Sequence, residues 1–163
     1  MRLCAFLLGV FLSVGASAGT LASIPDLLRA YDGIAKAMAK EDFKTANVLA
    51  AKLLKMSEPL ARDPSHDTLV LRFQKIYKAC LAMSRTTKKE DLRGVFPYLS
   101  RAAVRMLHET QIQHANWQLF QCSNPKAIFD YWVQPVGEAM ANPYRGPSEA
   151  PCGEKKTWPE FQG

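Results

Sequence analysis

The sequence predicts a mainly all-α fold, a four-helix up-down bundle closed by an irregular C-terminal cap in which short strands can form. Apolar residues recur at helical spacing over residues 24–108, and short segments with proline or capping residues separate these stretches. Beyond His108 the helical period ends, and aromatic residues that favour strands follow. Helices joined by short connections pack most economically as antiparallel neighbours.

The N-terminus has the features of a secretory signal peptide at residues 1–18. Arg2 supplies the basic end, residues 3–14 are apolar, and Ala-Ser-Ala at the end matches a small-x-small cleavage site. The apolar run is about a dozen residues, below the roughly 18–20 needed to span a bilayer. We therefore expect cleavage near Ala18 and a periplasmic or secreted protein, with no transmembrane segment in the mature chain.

The mature chain is expected to form one domain at residues 19–158, with a tail at 159–163. The formal net charge of the whole chain is +6, spread mainly as single Lys and Arg residues through the helical stretches. This spacing predicts solvated helix faces, with weak attraction to anionic lipid headgroups as an alternative. We expect no nucleic-acid partner for an exported protein.

The first predicted helix opens with Ser23 and Asp26, whose spacing resembles that of a capping box. Its apolar stripe consists of Leu27, Tyr31, Ile34 and Met38. Glu41-Asp42 caps the second helix, which we expect to end near Glu58 because Pro59 disfavours helical dihedrals in the residue before it. The second stripe consists of Phe43, Ala46, Ala50 and Leu53.

A turn at residues 63–65 precedes the third predicted helix. The third stripe consists of Leu69, Phe73, Ile76, Cys80 and Met83. Thr87 and Glu90 form a second capping box and open a fourth helix. The fourth stripe consists of Leu92, Val95 or Phe96, Leu99, Ala103 and Met106. Because Pro97 removes a backbone hydrogen bond and Gly94 lies close by, we expect a kink in this helix, or a short helix followed by a restart.

The segment after His108 predicts two short strands and two turns. The strand-favouring residues are Trp117, Leu119, Phe120, Ile128, Phe129, Tyr131, Trp132 and Val133. Asn124-Pro125 marks the turn between the two stretches, which can form a short antiparallel pair laid against the helices. A second, compact turn is predicted at residues 142–147, where two prolines of fixed φ and a glycine stand close together.

Three cysteines remain after removal of the signal peptide, in an oxidising compartment where disulfides persist. Cys80 lies on the apolar stripe of the third helix, which predicts a buried free thiol. By elimination, Cys122 and Cys152 are predicted to form a disulfide, which closes a loop of about thirty residues and stabilises the fold by roughly 3–4 kcal/mol. Two alternatives stay open: a pair of thiolate metal ligands, or a redox-active pair without the usual Cys-x-x-Cys spacing.

The sequence contains no recognisable catalytic arrangement. No serine has a nucleophile-elbow context, and neither a glycine-rich phosphate loop nor a pair of carboxylates stands out. The nearest acid–base group is His108, Glu109 and His114, and helix-terminal and backbone roles explain the two histidines. We therefore predict that the protein is not an enzyme and has no cofactor.

The C-terminal third contains four short motifs in a distinctive order. They are Cys122, Tyr131-Trp132, Asn142-Pro143-Tyr144 with Gly146, and Cys152-Gly153-Glu154. In this order and spacing the chain resembles a bacterial family, domain of unknown function 3347. The resemblance covers the mature chain and is strongest from Phe120 onward. Domains of this family occur alone in exported proteins and on periplasmic adaptor subunits of heavy-metal efflux systems.

The resemblance implies a helical domain with an irregular C-terminal cap and a link to copper or other heavy metals. The family typically has Pro-Met after its first motif cysteine and often a methionine shortly before the last Cys-Gly. This chain has Ser123-Asn124 at the first place and Ser-Glu-Ala-Pro at residues 148–151. Thioether ligands favour Cu(I), and both methionines of the family pattern are missing here.

We therefore expect an exported, non-catalytic accessory or binding domain that acts in periplasmic heavy-metal homeostasis through a protein partner. That partner is expected to be an efflux adaptor or another envelope protein. One alternative is direct binding of copper or zinc by Cys122 and Cys152, with help from His114 and Met140. A second alternative is a structural envelope protein without a metal role.

The motif residues of the cap have two interpretations. In the first, Tyr131, Trp132, Tyr144 and Trp158 cover the open end of the helices as a small additional core. In the second, the cap motifs form an exposed surface for a partner, because aromatic side chains are enriched at interfaces. The residues of this surface would be Tyr131, Trp132, Asn142, Pro143, Tyr144, Gly146 and Gly153.

Overall fold

The protein is mainly helical, with a small antiparallel sheet at its C-terminal end. The computed structural model describes residues 19–111, 114–123, 128–147, 149 and 152–158. The helices are α1 Gly19–Ala39, α2 Phe43–Arg62, α3 Val70–Met83 and α4 Lys89–Thr110. The strands are β1 Trp117–Gln121, β2 Tyr131–Pro135 and β3 Glu154–Lys156, and single 3-10 turns lie at Pro64–His66 and His114–Asn116. The predicted signal peptide, the Asn124-Pro125 turn and the 159–163 tail lie outside the described residues.

The helices pack along the chain, α1 on α2, α2 on α3 and α3 on α4. Arg72 in the first turn of α3 pairs with Glu109 at the end of α4, so these two helices run antiparallel. The sheet packs against the helices through β2, which contacts α4 and also α1. None of the described helices combines the length and the apolar character that a membrane span requires.

The apolar stripes read from the sequence form the core. Every stripe residue of the first, third and fourth predicted helices is buried when Phe96 rather than Val95 is taken for the fourth. In the stripe of α2, Ala46, Ala50 and Leu53 are buried, whereas Phe43 is half-buried beneath the Arg93 guanidinium. The predicted helical periods were therefore correct, because side chains at these spacings share one helix face.

Two predicted helix boundaries were wrong. The helix α1 already includes Gly19, four residues before the predicted start at Ser23, and Pro25 lies inside it. α2 continues past Glu58 to Arg62 and includes Pro59. The extension places Leu60 in the core and lets Arg62 pair with Glu58 one turn back, which offsets the backbone hydrogen bond that the proline lacks.

The fourth helix differs from its prediction at its start and at its middle. The Thr87 capping box does not form; Thr86 Oγ1 instead accepts from the Lys88 N–H and donates to Asp91. The expected restart at Pro97 is also absent, because α4 is continuous from Lys89 to Thr110. Buried residues on both sides of the proline hold it in helical conformation, among them Phe96.

The sheet has the strand order β2-β1-β3, with both pairs antiparallel. The predicted pair of β1 and β2 is confirmed, with Leu119 opposite Val133 and Phe120 opposite Trp132. The third strand was not predicted, because Glu-Lys-Lys is short, polar and without alternation. It places the segment after Cys152 beside β1.

Candidate functional site

The Cys122–Cys152 disulfide is present, as predicted, and it closes the cap. The two Cα atoms are 5.3 Å apart, and the bond joins the residue after β1 to a residue just before β3. It therefore lies at the open end of the β1–β3 pair and fixes both chain segments there. Cys80 is a buried free cysteine on α3, and burial raises the pKa of its thiol.

The Asn142-Pro143-Tyr144 motif stabilises the disulfide loop, the segment between Cys122 and Cys152, from within. The Asn142 side chain donates through Nδ2 to the Cys152 carbonyl over 2.6 Å and accepts from the Tyr144 N–H over 2.8 Å. The Arg145 N–H donates to the Asn142 carbonyl over 3.4 Å, which confirms the predicted turn. One asparagine therefore closes its own turn and holds the disulfide segment.

A buried chain of hydroxyls connects this turn to the helices. Tyr144 Oη donates to the Tyr131 carbonyl over 2.5 Å, and Ser100 Oγ donates to the same carbonyl over 2.9 Å. Ser100 Oγ also lies 2.7 Å from Tyr31 Oη on α1. Burial raises the pKa of both tyrosines, so both phenols are neutral. The motif tyrosine is thus a structural link between the cap, β2 and two helices.

The cap aromatics form a second, smaller core. Trp132 is 0% exposed and stacks on Phe120 with ring centroids 5.4 Å apart, while Tyr144 meets its edge at 6.0 Å. Trp158 donates through Nε1 to the Trp117 carbonyl over 3.3 Å. These contacts agree with the covering interpretation of the cap.

Several residues of the hypothetical partner surface are not accessible. Trp132, Pro143 and Gly146 are buried, and Tyr131, Asn142, Tyr144 and Gly153 are half-buried. Gly153 has a φ of +153°, and a Cβ added there would come within 2.8 Å of Trp132 Cη2 and also strike Met140 Sδ. These residues hold the cap together by close packing, which leaves them little surface for a partner.

Two of the four proposed metal ligands, Cys122 and Cys152, are not available as donors in this structure. The sulfurs of Cys122 and Cys152 are bonded to each other, so neither is a thiolate. Met140 lies beside Gly153, and the His114 side chain lies outside the described residues. Within the described ranges no three His, Cys, Asp or Glu residues are grouped in a way that could hold a metal ion. The disulfide form therefore does not fit the copper or zinc alternative.

An ion-pair group fastens the disulfide loop to the helices. Arg93 on α4 binds Glu41, at the turn between α1 and α2, and Glu149 in the loop, each over 2.8 Å. The hydrogen bond from Lys89, with the charge of Arg93, lowers the pKa of Glu41. The hydrogen bond from the Gly146 N–H lowers the pKa of Glu149, and the Arg93 side chain lowers it further. Both carboxylates are thus kept charged by neighbours from other elements.

A groove between α3 and α4 was not predicted from the sequence. Its cavity is about 480 Å³. Its α3 wall carries Arg72, Lys75 and Lys78, and its α4 wall carries Tyr98, Arg101 and Arg105. Its apolar lining consists of Ala79 and Ala102, which are buried, Val95, which is half-buried, and Ala82, which is exposed. Five cations thus surround an apolar lining.

Most of these cations have no counter-charge. Glu109 accepts from Arg72 Nε over 2.8 Å and thereby neutralises one of them. Within the described part of the chain, Lys75, Lys78, Arg101 and Arg105 make no ion pair, although Arg101 lies over the Phe129 ring. Arg105 Nε is buried without a hydrogen-bond partner among the described residues. Burial, with the charges of Arg101 and Arg72, lowers the Arg105 pKa.

The spacing of basic residues in the sequence indicates this groove, although we predicted only solvated helix faces from it. On α4, Tyr98, Arg101 and Arg105 follow at i, i+3 and i+7 and thus share one face. On α3, Arg72, Lys75 and Lys78 recur every three residues beside the small Ala79 and Ala82. Only the packing of α3 on α4 shows that the two basic faces meet at one groove. His108 lies outside it, and Glu109 is engaged by Arg72 rather than by an acid–base partner.

Comparisons with known proteins do not assign the chain to a family. No family model matches the chain, and neither the curated proteins nor the solved structures gave a significant match. The function is therefore argued from the cap and the groove.

Proposed function

We propose that the protein is an exported, non-catalytic binding domain that acts through a protein partner at the α3–α4 groove. The observation that carries this proposal is the set of four cations without ion pairs, within the described residues, around an apolar lining. Like charges in this arrangement repel one another, and an anionic partner would neutralise them. The cap packs on α4 through β2 and presents little accessible aromatic surface.

Export is supported by two features of the chain. The disulfide requires an oxidising compartment in which to form and persist. The signal-peptide pattern at residues 1–18 supplies the route to such a compartment. We place the mature protein in the periplasm or outside the cell.

The metal part of the proposal comes from the resemblance to family 3347. On this resemblance we propose that the domain acts in heavy-metal homeostasis of the cell envelope through a partner such as an efflux adaptor. In this proposal the partner holds the metal. The disulfide removes two of the four ligands that direct metal binding would use. We also infer an antiparallel up-down course for the four helices, which the short connections between consecutively packed helices support.

Site-specific photo-cross-linking tests this function. A photoreactive phenylalanine analogue replaces Tyr98, which is 51% exposed in the groove, or Val48, which is 60% exposed on α2, as a matched control. Irradiation of cells that export the protein should give a discrete protein adduct from position 98 and none from position 48. Adducts at neither position, or at both alike, would remove the groove from the proposed function.

A further inference from the structure

We infer that the α3–α4 groove receives an amphipathic helix of its partner, whose narrow apolar stripe is flanked on both sides by Asp and Glu. This inference rests on the proposed binding function and specifies the chemistry of the partner. Its two grounds are the charge on the two walls and the small buried residues at the bottom of the groove.

The charges lie on both walls of the groove. Lys75 and Lys78 are exposed on the α3 side, and Arg101 and Arg105 are half-buried on the α4 side. An occupant that lies along the groove therefore meets cations on its left and on its right. Acidic side chains on both flanks of a helix would pair with both walls, and a carboxylate beside Arg105 would supply the acceptor that its buried Nε lacks.

The apolar lining of the groove fits the apolar stripe of a helix. Ala79 and Ala102 are buried at the bottom, and their short side chains let another backbone approach closely. From Tyr98 to Arg105 α4 rises about 10 Å at roughly 1.5 Å per residue, so the groove accommodates about two turns of a partner helix. Binding of a helix in a groove by anchors at i, i+3 and i+4 is a common mode of peptide recognition.

Other anionic occupants fit these observations less well. A single-chain lipid has one charged head group and would leave most of the cations unpaired. A bilayer surface is broad and flat, whereas the buried Ala79 and Ala102 lie at the bottom of a groove between two charged walls. A helix with several acidic residues satisfies both the number and the placement of the cations.

Fluorescence anisotropy with designed peptides tests the inference. The probe is a labelled helical peptide with an Ala/Leu stripe between two rows of Glu, and its control has the same composition with the Glu residues scattered around the helix. The patterned peptide should bind the mature protein, and salt should weaken this binding because the pairs are electrostatic. The scattered peptide should bind at least about 10-fold more weakly.

Two protein variants locate the binding. R101E/R105E should lower the affinity for the patterned peptide at least about 10-fold, whereas K52E/K55E should change this affinity less than about 2-fold. The control double variant alters the net charge equally at exposed residues of α2. A82W fills the groove without a change of charge and should also weaken binding, and circular dichroism with urea unfolding identifies any variant that is not folded.

Equal binding of both peptides, or equal effects of R101E/R105E and K52E/K55E, would overturn the inference. So would binding to phosphatidylglycerol vesicles, lost in R101E/R105E, without binding of the patterned peptide. A protein adduct from position 98 together with no peptide binding would refute this partner chemistry and leave the proposed function standing. Failure of both experiments would refute both.

Discussion

The hydroxyl of Tyr144 donates to the backbone carbonyl of Tyr131 over 2.5 Å, and this bond connects the disulfide loop to the central part of the fold. The same carbonyl accepts from Ser100 on α4. The loop is therefore attached covalently through Cys122–Cys152, by hydrogen bonding through the motif tyrosine, and by the ion pair between Arg93 and Glu149.

Tyr144→Phe should lower the free energy of unfolding by about 1 kcal/mol, because it deletes one buried hydrogen bond. The Tyr131 carbonyl keeps its bond from Ser100, so the loss should stay near this value. Urea unfolding measures it, with Tyr98→Phe, whose hydroxyl is on an exposed residue, as the control. A Tyr144→Phe midpoint equal to that of the control would contradict the structural role of the motif.

Removal of the disulfide by C122S/C152S should lower the free energy of unfolding by roughly 3–4 kcal/mol, since the sequence separation of the two cysteines is 30. Denaturant unfolding of the mature protein with and without reductant should show the same loss. Cys80→Ser is the thiol control: it retains the Cys122–Cys152 bond and should therefore lose the same free energy of unfolding on reduction as the unmodified protein. Three free thiols in the unreduced, denatured protein would refute the bond itself.

Stability should decline at acidic pH partly through Glu41 and Glu149. Their pKa values are lowered in the folded protein, so their ion pairs stabilise above the unfolded value of about 4.3 and are lost as the pH falls through the folded values. K89M/R93M should therefore flatten the decline of the urea midpoint below about pH 5. K52M/K55M removes two exposed lysines and should retain the slope of the unmodified protein. Equal slopes in both double variants would contradict the assignment.

Arg105→Gln should leave the free energy of unfolding unchanged or raise it by up to about 0.5 kcal/mol, because it relieves repulsion between cations of the groove. Arg72→Gln should instead lower it by about 1 kcal/mol, since it breaks the pair with Glu109. Thermal unfolding at low salt compares the two. A larger loss from Arg105→Gln than from Arg72→Gln would show that Arg105 has a stabilising partner in the fold.

Much of the helical part could be predicted because its apolar residues share one face at a fixed period. The boundaries failed where tertiary packing outweighs a local rule: Pro59 and Pro97 lie inside α2 and α4, since buried neighbours such as Leu60 and Phe96 hold the backbone. Cys80 was predicted as a buried thiol from its place on a stripe, and elimination then gave the disulfide.

The groove could not be predicted because it depends on which faces of two helices meet. Arg101 and Lys78 are 23 positions apart by their numbers in the chain, and each is an ordinary surface cation when its own helix is considered alone. β3 was missed for a similar reason, since Glu-Lys-Lys becomes a strand only through pairing with β1. The contacts of the Asn142 side chain likewise join residues that the sequence keeps apart.

The most direct test of the account uses the partner protein that is captured by cross-linking at position 98. Its affinity is measured for the folded variants of the domain. That partner, purified and titrated by calorimetry, should bind R101E/R105E at least about 10-fold more weakly than the unmodified domain, and K52E/K55E within about 2-fold. Equal affinity for both double variants would contradict the claim that the α3–α4 groove is the binding site.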